Sequence, residues 1–388
     1  MKKVASLITF CVLLSLAGAS VYAQSTAEEF HQRSFTRLTE RDLDGAIADA
    51  DRAIALKPDY VDAYTHRSNL QMMKGRVDAA LADISKAIEL NPELVQAYVQ
   101  RGRMRMMKNN MDGALEDFNN AIGRGHRSDE IYAARAQIKM MTNDVEGAIQ
   151  DFSAAISLNP KRVGSYNGRA TARMYAKDED GALADYGYVI EQYEQQAQER
   201  KKEGKPATKA PVFDMRSPTI VTPETTAQGQ ASGQKKEKIS THEVVVKHIN
   251  PGSLESVEQI ENTMNVAAAY GGRARILGKR GQWDAALKDY NKAIEINPDE
   301  FVMYFNRGYG WREQGDLKAA LADFNKAIEI QPQSAFNYLE RGLTLLLMGR
   351  DADAQKDFDQ LLKLNPSMQT ALEKRRAEAI KQRSEKTQ

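Results

Sequence analysis

The chain has little of what catalysis and cofactor binding usually require. Its 388 residues include one cysteine, Cys11, and five histidines. His242 and His248 are six residues apart, which is not the spacing of a helical zinc motif, and the other three histidines are scattered. No Gly-x-Ser-x-Gly sequence is present. We therefore expect no catalytic residue, no metal site and no cofactor, and hence a protein that is not an enzyme.

The sequence also lacks an excess of charge of one sign. Its 54 basic residues against 53 acidic ones give a formal net charge of +1, so nothing attracts the whole chain to nucleic acid. The N-terminal apolar run from Val4 to Ala17 is too short for a membrane helix, which needs about 20 residues. It follows Lys2 and Lys3 and precedes small residues, as in a secretory signal peptide. We expect a signal peptide at 1–23, cleavage near Ala23, export to the periplasm or the medium, and no membrane span in the mature chain.

Proline is scarce but periodic. Proline ends a helix because it has no N–H group and its ring clashes with the preceding turn. Each of six prolines ends a near copy of one short sequence motif, such as AIELNP. The pattern Tyr-x-x-Arg-small recurs upstream of these motifs. Two alanines seven residues apart in many copies fall on one face of a helix and allow a second helix to approach closely. The period predicts helical hairpins of 34 residues. The six prolines are Pro58, Pro92, Pro160, Pro298, Pro332 and Pro366.

This pattern resembles the tetratricopeptide repeat family. The resemblance implies an all-α solenoid of stacked helix-turn-helix units forming a right-handed superhelix, whose first helices line a concave face that binds a protein or peptide. Some relatives clamp the carboxylate end of chaperone tails, but Gly271 and Phe336 stand where lysines are needed, so we do not expect that activity. Eight units fit, at 27–60, 61–94, 95–128, 129–162, 163–196, 267–300, 301–334 and 335–368.

One stretch interrupts the repeats and is rich in Lys, Pro, Thr, Gln and Gly. Such a composition buries too little apolar surface to offset the entropy of ordering, so we expect a flexible insert. As an alternative, the insert, with its strand-like segment His242–Ile249, folds into a groove as a regulatory segment. The predicted organisation is a first array of about five units at 24–196, the insert at 197–252, a second array at 253–368 made of a lead helix and three units, and a capping helix with a tail at 369–388.

Arginine and aspartate recur at matching places in every unit. Because the planar guanidinium fits a carboxylate in two hydrogen bonds, we predict a ladder of Arg–Asp pairs that pins helix to helix within or between units. The alternative is that the arginines bind an anionic ligand. The ladder comprises Arg33, Asp49, Arg67, Asp83, Arg101, Asp117, Arg135, Asp151, Arg169, Asp185, Arg273, Asp289, Arg307, Asp323, Arg341 and Asp357.

Methionines recur every 34 residues in the first array, and aromatic residues hold comparable places in the second. A methionine stripe on a concave wall would adapt to varied apolar peptides, whereas the alternative places it in the core between helices. We predict partner contacts at Asn69, Met72, Met73, Arg103, Met106, Met107, Gln137, Met140, Met141, Thr171, Met174, Phe305, Tyr309, Phe336 and Leu339.

The sequence thus favours an exported, non-enzymatic scaffold or adaptor that binds a protein or peptide partner and no nucleic acid. A first alternative is a structural accessory subunit of a cell-envelope assembly or secretion complex. A second is an enzyme with an unrecognised site in the insert. The oligomeric state and the identity of the partner stay open.

Overall fold

A computed structural model of the chain describes residues 26–203, 212–213, 220–221 and 254–387. The predicted signal peptide with its cleavage site, the strand-like segment at 242–249 and most of the insert lie outside these residues. Of the insert as predicted, residues 197–202 belong to a helix, and Val212–Phe213 pairs antiparallel with Ile220–Val221.

The described residues form seventeen α-helices, and the all-α prediction is confirmed. One 3₁₀ turn lies at Pro366–Met368, and the two short strands are β1 (Val212–Phe213) and β2 (Ile220–Val221). The helices are α1 (Ala27–Thr39), α2 (Leu43–Leu56), α3 (Val61–Met73), α4 (Val77–Leu90), α5 (Val95–Met107), α6 (Met111–Gly123), α7 (Asp129–Met141), α8 (Val145–Leu158), α9 (Val163–Tyr175), α10 (Glu179–Lys202), α11 (Leu254–Lys279), α12 (Trp283–Ile296), α13 (Phe301–Glu313), α14 (Leu317–Ile330), α15 (Ala335–Leu347), α16 (Asp351–Leu364) and α17 (Gln369–Thr387).

Local chemistry at the turns explains why each first helix ends and the second begins. The chain reverses through a residue with positive φ. Glycine adopts this conformation without steric strain, as at Gly315 (φ 85°), and asparagine takes the position elsewhere, as at Asn143 (φ 65°). The second helix often starts with an acidic or amide N-cap. The carboxylate of Asp178, for example, accepts the backbone N–H of Gly181 at 2.9 Å. These residues fix where the hairpin folds back.

Small and aromatic side chains hold the two helices of a hairpin together. In α6, Ala114, Phe118 and Ala121 are fully buried. A Cβ atom on Gly102 of α5 would lie 2.9 Å from the Phe118 ring, so only glycine permits this close approach. Packed pairs of this kind are α1 with α2, α3 with α4, α5 with α6, α9 with α10, α11 with α12, α13 with α14, and α15 with α16.

The chain divides into two compact units, Met1–Ile138 and Lys139–Gln388. Within the second unit the hairpin stack continues across the insert, because α10 packs on α11 and both contribute to one apolar core with α9 and α12. The hydroxyl of Tyr270 donates to Glu194 at 2.8 Å, and the amide of Asn167 donates to the carbonyl of Asn265 at 2.6 Å. The predicted lead helix and the first helix of the sixth repeat are one continuous helix, α11.

The C-terminal helix α17 packs mainly against α15. In a continuing stack the next helix would pack on the preceding second helix, as α15 does on α14. Leu372 and Ala379 of α17 are buried, whereas Ala371 and Ile380 are exposed. None of the described helices combines the length and the apolar character needed to cross a membrane.

Candidate partner-binding surfaces

Bidentate Arg–Asp pairs join the two helices of seven hairpins. In each, the arginine Nη2 lies 2.5–2.8 Å from one carboxylate oxygen and Nε lies 2.7–3.2 Å from the carboxylate, sixteen residues along the chain. The aspartates are 0–6% exposed and the arginine side chains are 14–42% exposed, so each buried carboxylate is paired with a guanidinium group that partly reaches solvent. The pairs are Arg33–Asp49, Arg67–Asp83, Arg101–Asp117, Arg169–Asp185, Arg273–Asp289, Arg307–Asp323 and Arg341–Asp357.

The eighth predicted pair, Arg135 and Asp151, has one member in each compact unit. In the first unit, Nη1 of Arg135 donates to Asn119 at 2.7 Å. In the second, Asp151 lies 2.9 Å from the ammonium of Lys139.

The arginines also reach the preceding repeat. Nη1 of Arg67 donates to Asp51 at 2.6 Å, and Nη1 of Arg307 donates to Asn291 at 2.7 Å. Each arginine further lies over the aromatic ring three residues earlier, with its guanidinium carbon 4.6–5.7 Å from the ring centre. The guanidinium groups are therefore already engaged in contacts within the chain, which disfavours the anionic-ligand alternative.

A second basic residue supports several of the aspartates. Arg105 lies 2.9 Å from Asp117, and Arg173 lies 2.7 Å from Asp185. These residues stand four positions after the ladder arginine, and the sequence pattern does not reveal them because the position also holds Gln, Leu or Trp in other repeats. The hydrogen bond from Arg33 lowers the pKa of Asp49, so this carboxyl is charged well below neutral pH.

The methionine stripe separates into two rows. Met73, Met107 and Met141 are 59–67% exposed. Met72, Met106 and Met174 are partly buried and pack against core clusters, and Met140 is also half-buried. Neighbouring residues on a helix point about 100° apart, so only one of each pair can face solvent. The exposed polar residues one turn earlier are Asn69, Arg103, Gln137 and Thr171.

In the first unit these residues share one surface, which we call the methionine surface and define as Asn69, Met73, Arg103, Met107 and Gln137. They lie eight and twelve residues after the first residue of their helices, on one helical face. The guanidinium of Arg103 on α5 pairs with Glu130 on α7, so the faces of successive first helices adjoin. The surface combines exposed thioethers with polar side chains.

In the second unit the exposed residues are larger and more apolar. Val302 and Tyr309 on α13 are 37% and 36% exposed, Phe336 on α15 is 57% exposed, and Phe305 is half-buried. We call these four residues the aromatic surface. Leu339 does not belong to it: this side chain is only 1% exposed because α17 covers its face of α15. Tyr175, at the end of α9, is a further large exposed side chain (69% exposed), and it is absent from the residues predicted to contact a partner.

Two buried histidines lie in the first hairpins. The ring of His66 stacks on Phe35 at 3.8 Å, and His31 contacts Phe35 edge to face at 5.0 Å. The hydroxyl of Ser34 donates to the carbonyl of Ala46 at 2.6 Å, which leaves its oxygen to accept from Nε2 of His66 at 2.9 Å. Burial lowers the pKa of His66 to about 4 and also lowers the pKa of His31. Both rings are therefore neutral at pH 7.

Within the described residues, no group of three or more His, Cys, Asp or Glu side chains is arranged to hold a metal ion.

Comparisons with known proteins bear on the repeats. No curated protein sequence matches the chain. Sequence models described as "Tetratricopeptide repeat" match residues 36–95, 67–130, 129–162, 267–300 and 303–334.

Among solved structures, a tetratricopeptide repeat protein from Parabacteroides merdae ATCC 43184 is 16% identical, with a TM-score of 0.48, over 82% of this chain and 98% of that one. A crystal structure of MamA is 20% identical, with a TM-score of 0.41, over 42% of this chain and 96% of that one. The MamA fragment from Desulfovibrio magneticus RS-1 is 14% identical, with a TM-score of 0.42, over 44% of this chain and 96% of that one.

Proposed function

Because residues 36–162, 267–300 and 303–334 are tetratricopeptide repeats, which generally serve as protein-interaction scaffolds, we propose that this chain is an exported, non-enzymatic scaffold that holds a protein or peptide partner. The partner lies along the exposed faces of the first helices. Export rests on the signal-peptide pattern at 1–23, and sequencing the N-terminus of the mature protein tests it, with Gln24 expected as the first residue.

The observation that carries this proposal is the exposure of Met73 and Met107. Both are more than half exposed, at equal places on neighbouring first helices, while the methionines beside them pack into the core. Exposed apolar side chains that line up on a surface are typical of interaction sites. Methionine also adapts its shape to varied apolar partners.

Replacing Met73 and Met107 together by glutamate tests the surface. We expect loss of partner capture with unchanged helicity and melting temperature, because both side chains already face water. The matched control is Leu56→Glu, since Leu56 is 50% exposed at the end of a second helix. Capture of the partner by the double variant at the wild-type level would contradict the proposal.

The alternative function, a structural accessory subunit of a cell-envelope assembly or secretion complex, would use the same surfaces in a permanent contact. Crosslinking followed by purification separates the two. Exchangeable, substoichiometric partners support the scaffold, whereas one subunit at fixed stoichiometry supports the accessory role. An enzyme with a site in the insert would show an activity that is lost when residues 197–252 are deleted.

A further inference from the structure

In the last repeat, the C-terminal helix α17 packs on one face of the first helix, α15. On α15 the four positions Phe336, Leu339, Leu343 and Leu346 lie on one helical face. The three leucines are 1–3% exposed, and they share an apolar core cluster with Leu372 and Ala379 of α17. This face of a first helix is thus covered by an amphipathic helix of the chain itself.

An ion pair and a hydrogen bond to the backbone hold α17 in place. Glu340 of α15, only 4% exposed, pairs with Arg375 of α17 and, at 2.6 Å, with Arg312 of α13. Arg383 of α17 donates to the carbonyl of Leu346 at 2.9 Å. The interface between α17 and α15 therefore has apolar residues at its centre and arginines at its edges.

The neighbouring helix α13 presents the same positions without a cover. The residues 34 positions earlier are Val302, Phe305, Tyr309 and Arg312. The first three are apolar or aromatic and exposed or half-exposed, and no described residue covers them as α17 covers α15. In α3 and α5 the first and third of these positions are polar instead. They hold Asp62, Asn69, Gln96 and Arg103.

On the side of this surface away from α17, helix α11 presents small residues and one exposed arginine. On α11 the equivalent residues are Ala268, Gly271 and Arg275, and a Cβ atom on Gly271 would lie 2.4 Å from the sulfur of Met303. Met303 of α13 therefore packs directly on Gly271, which is buried, and the exposed residues on this side are Ala268 and Arg275. Arg275 is exposed, and no ion pair of Arg275 is found among the described residues, whereas the Arg312 side chain is 8% exposed and shares Glu340 with Arg375.

We propose that the aromatic surface binds an amphipathic helix of a partner protein, seated beside α17 on α13 as α17 is seated on α15. The bound helix has large apolar residues at i, i+3 or i+4, and i+7, and acidic residues on the flank that faces Arg275. This inference rests on the proposed scaffold function and narrows it to one surface and one kind of ligand.

Fluorescence anisotropy with labelled synthetic peptides tests the inference on the full-length protein. The first peptide is a helix with leucines at i, i+3 and i+7 and glutamates on one flank. A second has the same composition in scrambled order, and a third has lysines in place of the glutamates. We expect the first peptide to bind at least about tenfold more tightly than either control peptide, a difference that one well-buried contact can supply.

Variants assign that binding to the surface. Phe336→Glu should weaken binding at least about tenfold, and Arg275→Glu should reverse the preference between the glutamate and lysine peptides. Leu158→Glu, at a 50% exposed position at the end of the second helix α8, is the matched control and should bind like the wild type. Phe336 is 57% exposed, so its variant should keep the wild-type circular dichroism spectrum.

Equal binding of the helical and scrambled peptides, no binding of either, or equal losses in Phe336→Glu and Leu158→Glu would overturn the inference. Its failure is distinct from failure of the scaffold function. If the cellular partner is lost in the Met73 and Met107 double glutamate variant but kept in Phe336→Glu, the scaffold stands and the aromatic surface is not its helix site.

Discussion

Removing the carboxylate of Asp117 tests how the hairpins are held together. Asp117 is fully buried and receives Nη2 of Arg101 at 2.7 Å and Nη1 of Arg105 at 2.9 Å. Asp117→Ala removes the carboxylate that both guanidinium groups share and opens a cavity, and Arg105 keeps only the more distant Glu116 at 3.8 Å. Breaking a buried ion pair by removing one partner costs about 3–5 kcal/mol.

That cost is measurable by thermal unfolding. With ~1 kcal/mol lowering the melting temperature of a domain by roughly 2–8 °C, depending on its size, we expect Asp117→Ala to melt roughly 6 °C or more below the wild type. Circular dichroism of the full-length protein measures the shift. The control is Glu89→Ala, which breaks the exposed Lys86–Glu89 pair and should cost less than ~1 kcal/mol. Equal shifts in the two variants would refute the view that the ladder stabilises the fold.

Three further predictions follow from buried contacts. The pKa of His66 is 6.5 in the unfolded chain and about 4 in the fold. The contribution of the neutral His66 to the free energy of unfolding is therefore fully present above pH 6.5 and is lost as the pH is lowered toward 4. In melting curves measured at different pH values, His66→Phe should flatten this decline. Gly168→Ala should destabilise the fold, because the added Cβ atom would lie 2.4 Å from a phenylalanine ring. Gly187→Ala, whose added Cβ atom would have no neighbour within 4 Å, should instead stabilise the fold by about 0.5–1 kcal/mol. Urea unfolding that ranks the two variants in the opposite order would refute the packing argument. Met106→Glu should lower the melting temperature and Met107→Glu should not, so matching melts would contradict the two-row assignment.

The fold was predictable because its signals are local and repeated. The helix-ending prolines, the paired alanines and the residues with positive φ between helices each act within one hairpin. Arg and Asp sixteen residues apart are also visible in the sequence, since one member stands at a fixed place in each helix. The contacts that Arg67 and Arg307 make with the preceding repeat were harder to see, because their partners vary between Asp51 and Asn291.

The candidate surfaces were predictable only in part. Met106 and Met107 are adjacent and equally apolar, so the period alone cannot say which one faces water. Leu339 was grouped with Phe305 because both hold the same place in their repeats, but the register of the repeats does not tell which face α17 covers. Continuity of the stack across the insert depends on long-range contacts such as that between Tyr270 and Glu194.

The most direct test of the scaffold function places a photo-crosslinking residue at Met107 or Phe336, on the first helices, or at Leu56 or Leu158, on the second helices, in the full-length protein in cells. All four side chains are at least half exposed, so each variant should fold. We expect partner adducts from a first-helix position and none from Leu56 or Leu158. Adducts only from the second-helix positions would contradict the account.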